Sequence, residues 1–62
     1  DIRLTSPNAS KNRAEAEGEA LSRKYRDSHW PGGMGEVVAL VRWDDEGSYE
    51  WQAVVNLYYS YS

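Results

Sequence analysis

The chain has 62 residues, no cysteine and a formal net charge of −3, so it can form at most one small domain without disulfide support. Residues 1–31 carry six basic and five acidic side chains, whereas residues 32–62 carry one basic and five acidic side chains. This acidic second half argues against binding to nucleic-acid phosphates or to anionic membranes, because both attract positive charge. The longest aliphatic run, Val37 to Val41, is too short to span a bilayer.

Residues 1–9 predict an arm or a short strand, because Ile2 and Leu4 alternate with polar residues. The sequence starts with Asp1 rather than Met, which predicts either a trimmed chain or a processed mature chain. The second alternative is compatible with secretion and an extracellular location, but the sequence does not decide the localisation. Asn8-Ala9-Ser10 fits the N-glycosylation acceptor pattern, which is short enough to arise mostly by chance.

Residues 10–28 predict a helix. Two N-caps compete for its start: Ser6, which is followed by Pro7 as the first helical residue, and Ser10 one turn later. The apolar stripe is narrow and consists of Ala14, Gly18, Leu21 and Tyr25. A glycine inside a helix costs about 1 kcal/mol relative to alanine. We therefore expect Gly18 to let the helix approach another backbone closely.

Residues 29–35 predict a glycine-rich loop. The run Gly32-Gly33-Met34-Gly35 lacks the Lys-Ser/Thr pair of a P-loop and the preceding strand of a dinucleotide-binding motif, so no cofactor site is predicted. His29 is the only histidine. Its polar neighbours Asp27 and Ser28 cannot complete a catalytic triad, because triads assemble from separated segments. A loop or packing role is predicted for His29.

Residues 36–61 predict a long antiparallel β-hairpin. We expect a three-residue loop, Asp45-Glu46-Gly47, with Gly47 in a left-handed G1 bulge, which pairs Asp44 with Ser48. One face is then apolar or aromatic throughout, and it is expected to form the core. It places Trp43, Val41, Ala39, Val37 and Gly35 opposite Tyr49, Trp51, Ala53, Val55 and Leu57, with Tyr59 and Tyr61 beyond them. On the other face, Arg42 is expected to pair with Glu50.

Two further segments carry groups with chemical potential. Asp44, Asp45 and Glu46 lack the ligand spacing of a calcium loop, so they are interpreted as turn residues and no metal is predicted. The run Arg23-Lys24-Tyr25-Arg26 contains side chains that bind phosphates and stack on bases. Cations are ordinary near a helix C-terminus, however, so these four residues are only a candidate ligand site.

The sequence as a whole predicts an α+β fold with one N-terminal helix packed on one face of the hairpin, and with a short N-terminal strand as an additional element. Four apolar residues on the second hairpin face have no predicted cover, and they form the predicted partner interface: Val38, Leu40, Val54 and Tyr58. The predicted function is a non-enzymatic protein-interaction or structural subunit that associates with itself or with a larger protein partner. The alternative is a small recognition module whose aromatic residues bind a glycan or single-stranded nucleic acid. No catalytic residue, cofactor or membrane contact is predicted, and nucleic acid is the less favoured partner.

Overall fold

The computed structural model describes residues 1–28 and 32–59. The chain forms a short strand, a helix and two long strands: β1 (Ile2–Leu4), α1 (Lys11–Ser28), β2 (Gly33–Asp45) and β3 (Ser48–Tyr59). The three strands form one antiparallel sheet in the order β1-β3-β2, and the helix packs on one face of it. The predicted α+β fold with a helix on a hairpin and a short N-terminal strand is confirmed. His29, Trp30 and Tyr61 lie outside the described residues.

The helix begins after Ser10, not after Ser6. The Ser10 hydroxyl oxygen accepts a hydrogen bond from the backbone N–H of Arg13 at 3.3 Å, and the Ser10 carbonyl accepts the first helical bond from the N–H of Ala14 at 3.1 Å. The side chain of Asn8 in turn accepts a hydrogen bond from the Ser10 N–H at 2.8 Å. Ser10 is therefore the N-cap, and the segment before it is free to continue along the sheet.

The N-terminal segment extends the sheet along β3. Ile2 pairs with Asn56 and Leu4 with Val54. Thr5 is buried, donates its N–H to the carbonyl of Ala53 at 3.1 Å, and accepts the Ala53 N–H on its hydroxyl oxygen at 2.9 Å. These bonds satisfy the β3 backbone on its β1 side, so β3 is the central strand of the sheet.

The core lies between the helix and the central strand, where Ala53, Val55 and Leu57 are buried. The helix comes very close to the sheet at Gly18, where a β-carbon would lie 2.7 Å from the Cβ of Ala53 and 2.9 Å from a methyl group of Val37. Real β-carbons essentially never approach so closely. The expectation that Gly18 permits a close approach is therefore confirmed.

The start of β2 differs from the predicted loop. The strand begins at Gly33, so the last three residues of the predicted glycine-rich loop belong to the sheet. A β-carbon on Gly35 would lie 3.0 Å from the Cα of Ser22 in the helix, so Gly35 lies directly under the helix backbone. Ser22 is buried and donates its hydroxyl to the Gly18 carbonyl at 3.0 Å, so its polar group is satisfied.

The hairpin turn has two residues, and the predicted three-residue loop with a G1 bulge is wrong. Asp45 pairs with Ser48, and the turn residues Glu46 and Gly47 have φ angles of 44° and 82°. Positive φ at both central positions is the mark of a type I′ turn, whose twist matches that of the flanking strands. The expectation that Gly47 adopts a left-handed conformation is confirmed, and Glu46 shares that conformation despite its side chain.

A β-bulge at Val38 shifts the pairing of β2 with β3 by one residue between the bulge and the turn. Val37 pairs with Val55, as expected, but the pairing shifts between Val37 and Ala39. From Ala39 to the turn the predicted register is wrong by one residue, because Ala39 pairs with Val54. The run Val37 to Val41 is apolar on both faces, so its alternation does not specify which face is buried.

The shifted register reverses the faces of the second half of β2. Leu40 now pairs with Ala53 and packs against the core, whereas Trp43 pairs with Glu50 and is 58% exposed on the side away from the helix. The expected pair between Arg42 and Glu50 does not form, because Arg42 lies opposite Trp51. The expected core face is therefore correct in β3 from Ala53 to Leu57. It is wrong toward the ends of β3, where Tyr49 and Tyr59 are exposed, and in β2 beyond the bulge.

Candidate interaction surfaces

The helix α1 covers one face of the described sheet, and we call the opposite face the open face. It is defined here by six apolar residues whose side chains point away from α1: Ile2, Leu4, Ala39, Val41, Val54 and Tyr58. Ile2 is 60% exposed and Leu4 is 54% exposed, although both are large and apolar. Exposed apolar surface of this kind is a common mark of an interaction site.

The four predicted interface residues do not share one surface. Val54 and Tyr58 lie on the open face, and Val38 is the bulge residue, with half of its surface exposed. Leu40 lies on the helix side and packs against the core, so its inclusion in this face was wrong. Sequence reasoning missed Ile2 and Leu4 because their position depends on the pairing of β1 with β3. A strand of three residues is too short for its sequence to predict its partner strand.

The open face is acidic along its β2 edge and toward the hairpin turn. Glu36 lies on the edge strand β2, in the same row as Ile2 and Asn56, and Glu50 lies toward the turn. Among the residues described, none of the Lys or Arg side chains lies on this face, because Arg3 pairs with Val55 and Arg42 with Trp51 on the helix side. The apolar centre of the open face is therefore neutral and its rim is negative.

A groove lies beside the hairpin turn, next to the open face, and has a volume of about 320 Å³. We call it the tip groove. Its walls combine aromatic, carboxylate and neutral polar side chains: Pro7, Trp43, Asp45, Ser48, Tyr49, Glu50 and Gln52. No pattern in the amino-acid sequence indicates this groove, because it forms only when Pro7 comes to the edge of β3 and when the bulge turns Trp43 outward.

Cations of the chain itself stack on the aromatic rings of the helix side. The guanidinium of Arg42 lies 5.0 Å from the centre of the Tyr49 ring and 6.0 Å from that of Trp51, and the Lys11 ammonium lies 5.1 Å from the Trp51 ring. The Arg42 Nε also forms an ion pair with Asp44 at 3.1 Å. Tyr49 and Trp51 therefore lie outside the core, on a surface where cationic side chains lie over their rings.

The candidate ligand residues near the end of α1 separate into two environments. Arg23, Lys24 and Arg26 are exposed, whereas Tyr25 is half-buried and packs against the core. Loss of hydration raises the pKa of Tyr25, and Tyr59 raises it further through its charge and a hydrogen bond, whereas the charge of Arg3 lowers it. Ligand binding by this segment stays a prediction.

Within residues 1–28 and 32–59, no group of three or more His, Asp or Glu side chains is arranged to hold a metal ion. The same residues contain no helix of the length and hydropathy needed to cross a membrane. Comparison of the chain with protein-family models, with curated proteins and with solved structures gives no match.

Proposed function

We propose that this protein is a non-enzymatic interaction or structural subunit that associates with a second copy of itself through the open face. The observation that supports the proposal is the exposure of Ile2 and Leu4 beside the apolar strip of β2 and β3. In a chain of 62 residues without disulfides, exposed apolar surface is unfavourable, and burial of that surface against a partner lowers the free energy.

The size of the open face supports a weak dimer. β2 and β3, with about 12 residues each at 3.3 Å per residue, and the three residues of β1, with strands about 4.8 Å apart, give a face of roughly 430 Å². Two such faces contribute roughly 860 Å², which is below the lower limit of about 1,200 Å² for stable specific interfaces. We therefore expect association in the micromolar range or weaker, with two sheets packed face to face.

The charges on the rim predict how salt affects this dimer. Glu36 lies on the β2 edge of the open face and Glu50 lies toward the hairpin turn, so a face-to-face pair brings carboxylates of both copies into one interface. Because salt screens repulsion between exposed like charges, we expect moderate salt to strengthen the dimer. A partner with a basic rim would show the opposite dependence, so the sign of the salt effect distinguishes the two occupants.

Sedimentation equilibrium over a hundredfold concentration range tests the proposal. Leu4→Lys places a charge on the open face at an exposed position, and it should shift the protein toward monomer by at least tenfold in the dissociation constant. Ala20→Lys is the matched control, because Ala20 is exposed on the helix. Wild-type protein that remains monomeric throughout, or equal effects of the two substitutions, would overturn the proposed dimer.

The alternative, recognition of a glycan or single-stranded nucleic acid by aromatic side chains, has less support. Lys11 and Arg42 already lie over the rings of Tyr49 and Trp51. The remaining exposed tryptophan on the described strands, Trp43, lies in a groove with two carboxylates, which repel a phosphate backbone.

A further inference from the structure

We propose that the tip groove binds the guanidinium group of an arginine side chain presented by a partner protein. The proposal does not rest on self-association through the open face, because it depends only on the chemistry of the groove. It assigns a ligand class to a site at the uncovered end of the hairpin.

The groove offers carboxylates that the chain itself leaves without a cation. Among the described residues, neither Asp45 nor Glu50 has an ion-pair partner. Arg42, the one basic residue of the hairpin, is held on the helix side by Asp44, Tyr49 and Trp51. Arg42 lies over the ring of Tyr49, one wall of the groove, but it pairs with Asp44, so Asp45 and Glu50 stay available to a positive group that enters the groove.

The hydrogen-bonding groups of the groove favour a ligand that donates. The Gln52 amide nitrogen donates to the carbonyl of Thr5 at 2.9 Å, which fixes the amide and leaves its oxygen to accept. The Ser48 hydroxyl donates to the Asp45 carbonyl at 2.9 Å. With these donors engaged, the groove offers more acceptors than donors. Guanidinium carries five N–H donors and no acceptor, whereas a sugar hydroxyl needs both.

The aromatic wall suits the flat face of the same group. Trp43 is 58% exposed, and none of the described cations lies over its ring, in contrast to Trp51. Arginine stacks on aromatic rings while its edge binds carboxylates, a combination that the point charge of lysine does not reproduce. Arg42 already makes this combination on the helix side, with Asp44 at its edge and Tyr49 under its plane.

An NMR titration with Nα-acetyl-arginine amide tests the assignment. The Trp43 indole signal and the backbone amides of Asp45 and Glu50 should shift together and saturate with a dissociation constant on the order of millimolar, as expected for one cation–π contact and exposed ion pairs. Nα-acetyl-citrulline amide has the same shape without the charge and should bind at least tenfold more weakly. Cellobiose and a short single-stranded oligonucleotide serve as ligands of the other classes.

Two substitutions locate the effect. Glu50→Gln should weaken binding of the arginine derivative at least threefold, whereas Glu36→Gln, which removes a carboxylate from the same side of the sheet outside the groove, should leave it unchanged. The titration is repeated with the Leu4→Lys variant, in which self-association is weakened, so that a second copy of the chain does not cover the groove. Absence of saturable shifts in that variant, equal binding of citrulline, preference for cellobiose or the oligonucleotide, or equal effects of the two Glu substitutions would overturn the proposal.

Discussion

The two halves of the hairpin have the same strands but opposite environments. In the covered half, from Gly33 to Val37 with the residues paired to them, the helix buries Val55 and Leu57. In the tip half, every residue from Arg42 to Glu50 is exposed. The reason is length: 18 helical residues span about 27 Å, whereas 13 residues of β2 span about 43 Å. One helix of this size cannot cover the whole sheet.

The bulge at Val38 lies where one environment changes into the other. Before it, β2 turns glycines and Val37 toward the helix, which suits a close approach. Beyond Leu40, β2 turns Arg42 toward the helix side and Trp43 away from it. A charged residue is tolerated there because the helix no longer covers the strand. The same shift places Trp43 in the tip groove, so the bulge links packing in one half to a candidate site in the other.

The largest expected loss of stability comes from a substitution in the covered half. Gly18→Val should lower the free energy of unfolding by about 3 kcal/mol, because overpacking at a contact of 2.7 Å forces the helix away from Ala53. Urea denaturation followed by circular dichroism measures the change.

Ala20→Val is the control for this substitution. It puts the same β-branched side chain at an exposed position of the same helix and should cost about 0.5 kcal/mol through helix propensity alone. Equal losses for the two variants would contradict the claim that the helix–sheet distance at Gly18 limits stability.

A smaller effect is expected at the tip, where the cost is conformational and does not arise from packing. Gly47→Val should destabilise by about 1 kcal/mol, because a β-branched residue is strained at positive φ. A β-carbon at this position would meet no atom within 4 Å, so overpacking contributes nothing. The same urea denaturation experiment measures the loss.

A substitution at the neighbouring turn residue, Glu46, should raise the stability of the protein. Glu46 has a φ of 44°, a conformation that asparagine adopts more readily. Glu46→Asn should therefore stabilise the protein by roughly 0.5 kcal/mol. A loss of stability in that variant would show that the two-residue turn does not govern the tip half.

The two strands of the hairpin also differ in how much of their structure the sequence could predict. The alternation along β3 is clear, and Ala53, Val55 and Leu57 were placed correctly on the core face. In β2 the five consecutive apolar residues fit either face, so the two-residue turn and the bulge, which together fix the register, could not be derived from alternation. The tip groove depends on both features, and for that reason it appeared only with the structure.

The weakest expected effect concerns pH and acts at the covered end of the sheet. Loss of hydration and the neighbouring Tyr59 raise the pKa of Tyr25 above its usual value of 10.0. The folded state therefore holds the phenol proton more tightly than the unfolded state does. The resulting contribution to stability is complete below the unfolded pKa and is lost as the pH rises through the folded pKa. Tyr25→Phe should reduce the decline in stability as the pH rises above about 10, the usual pKa of a phenol. Tyr58→Phe, which removes a phenol from the open face, should leave the Tyr25 contribution in place. Urea midpoints that fall equally in Tyr25→Phe and wild-type protein would show that this phenol is not linked to folding.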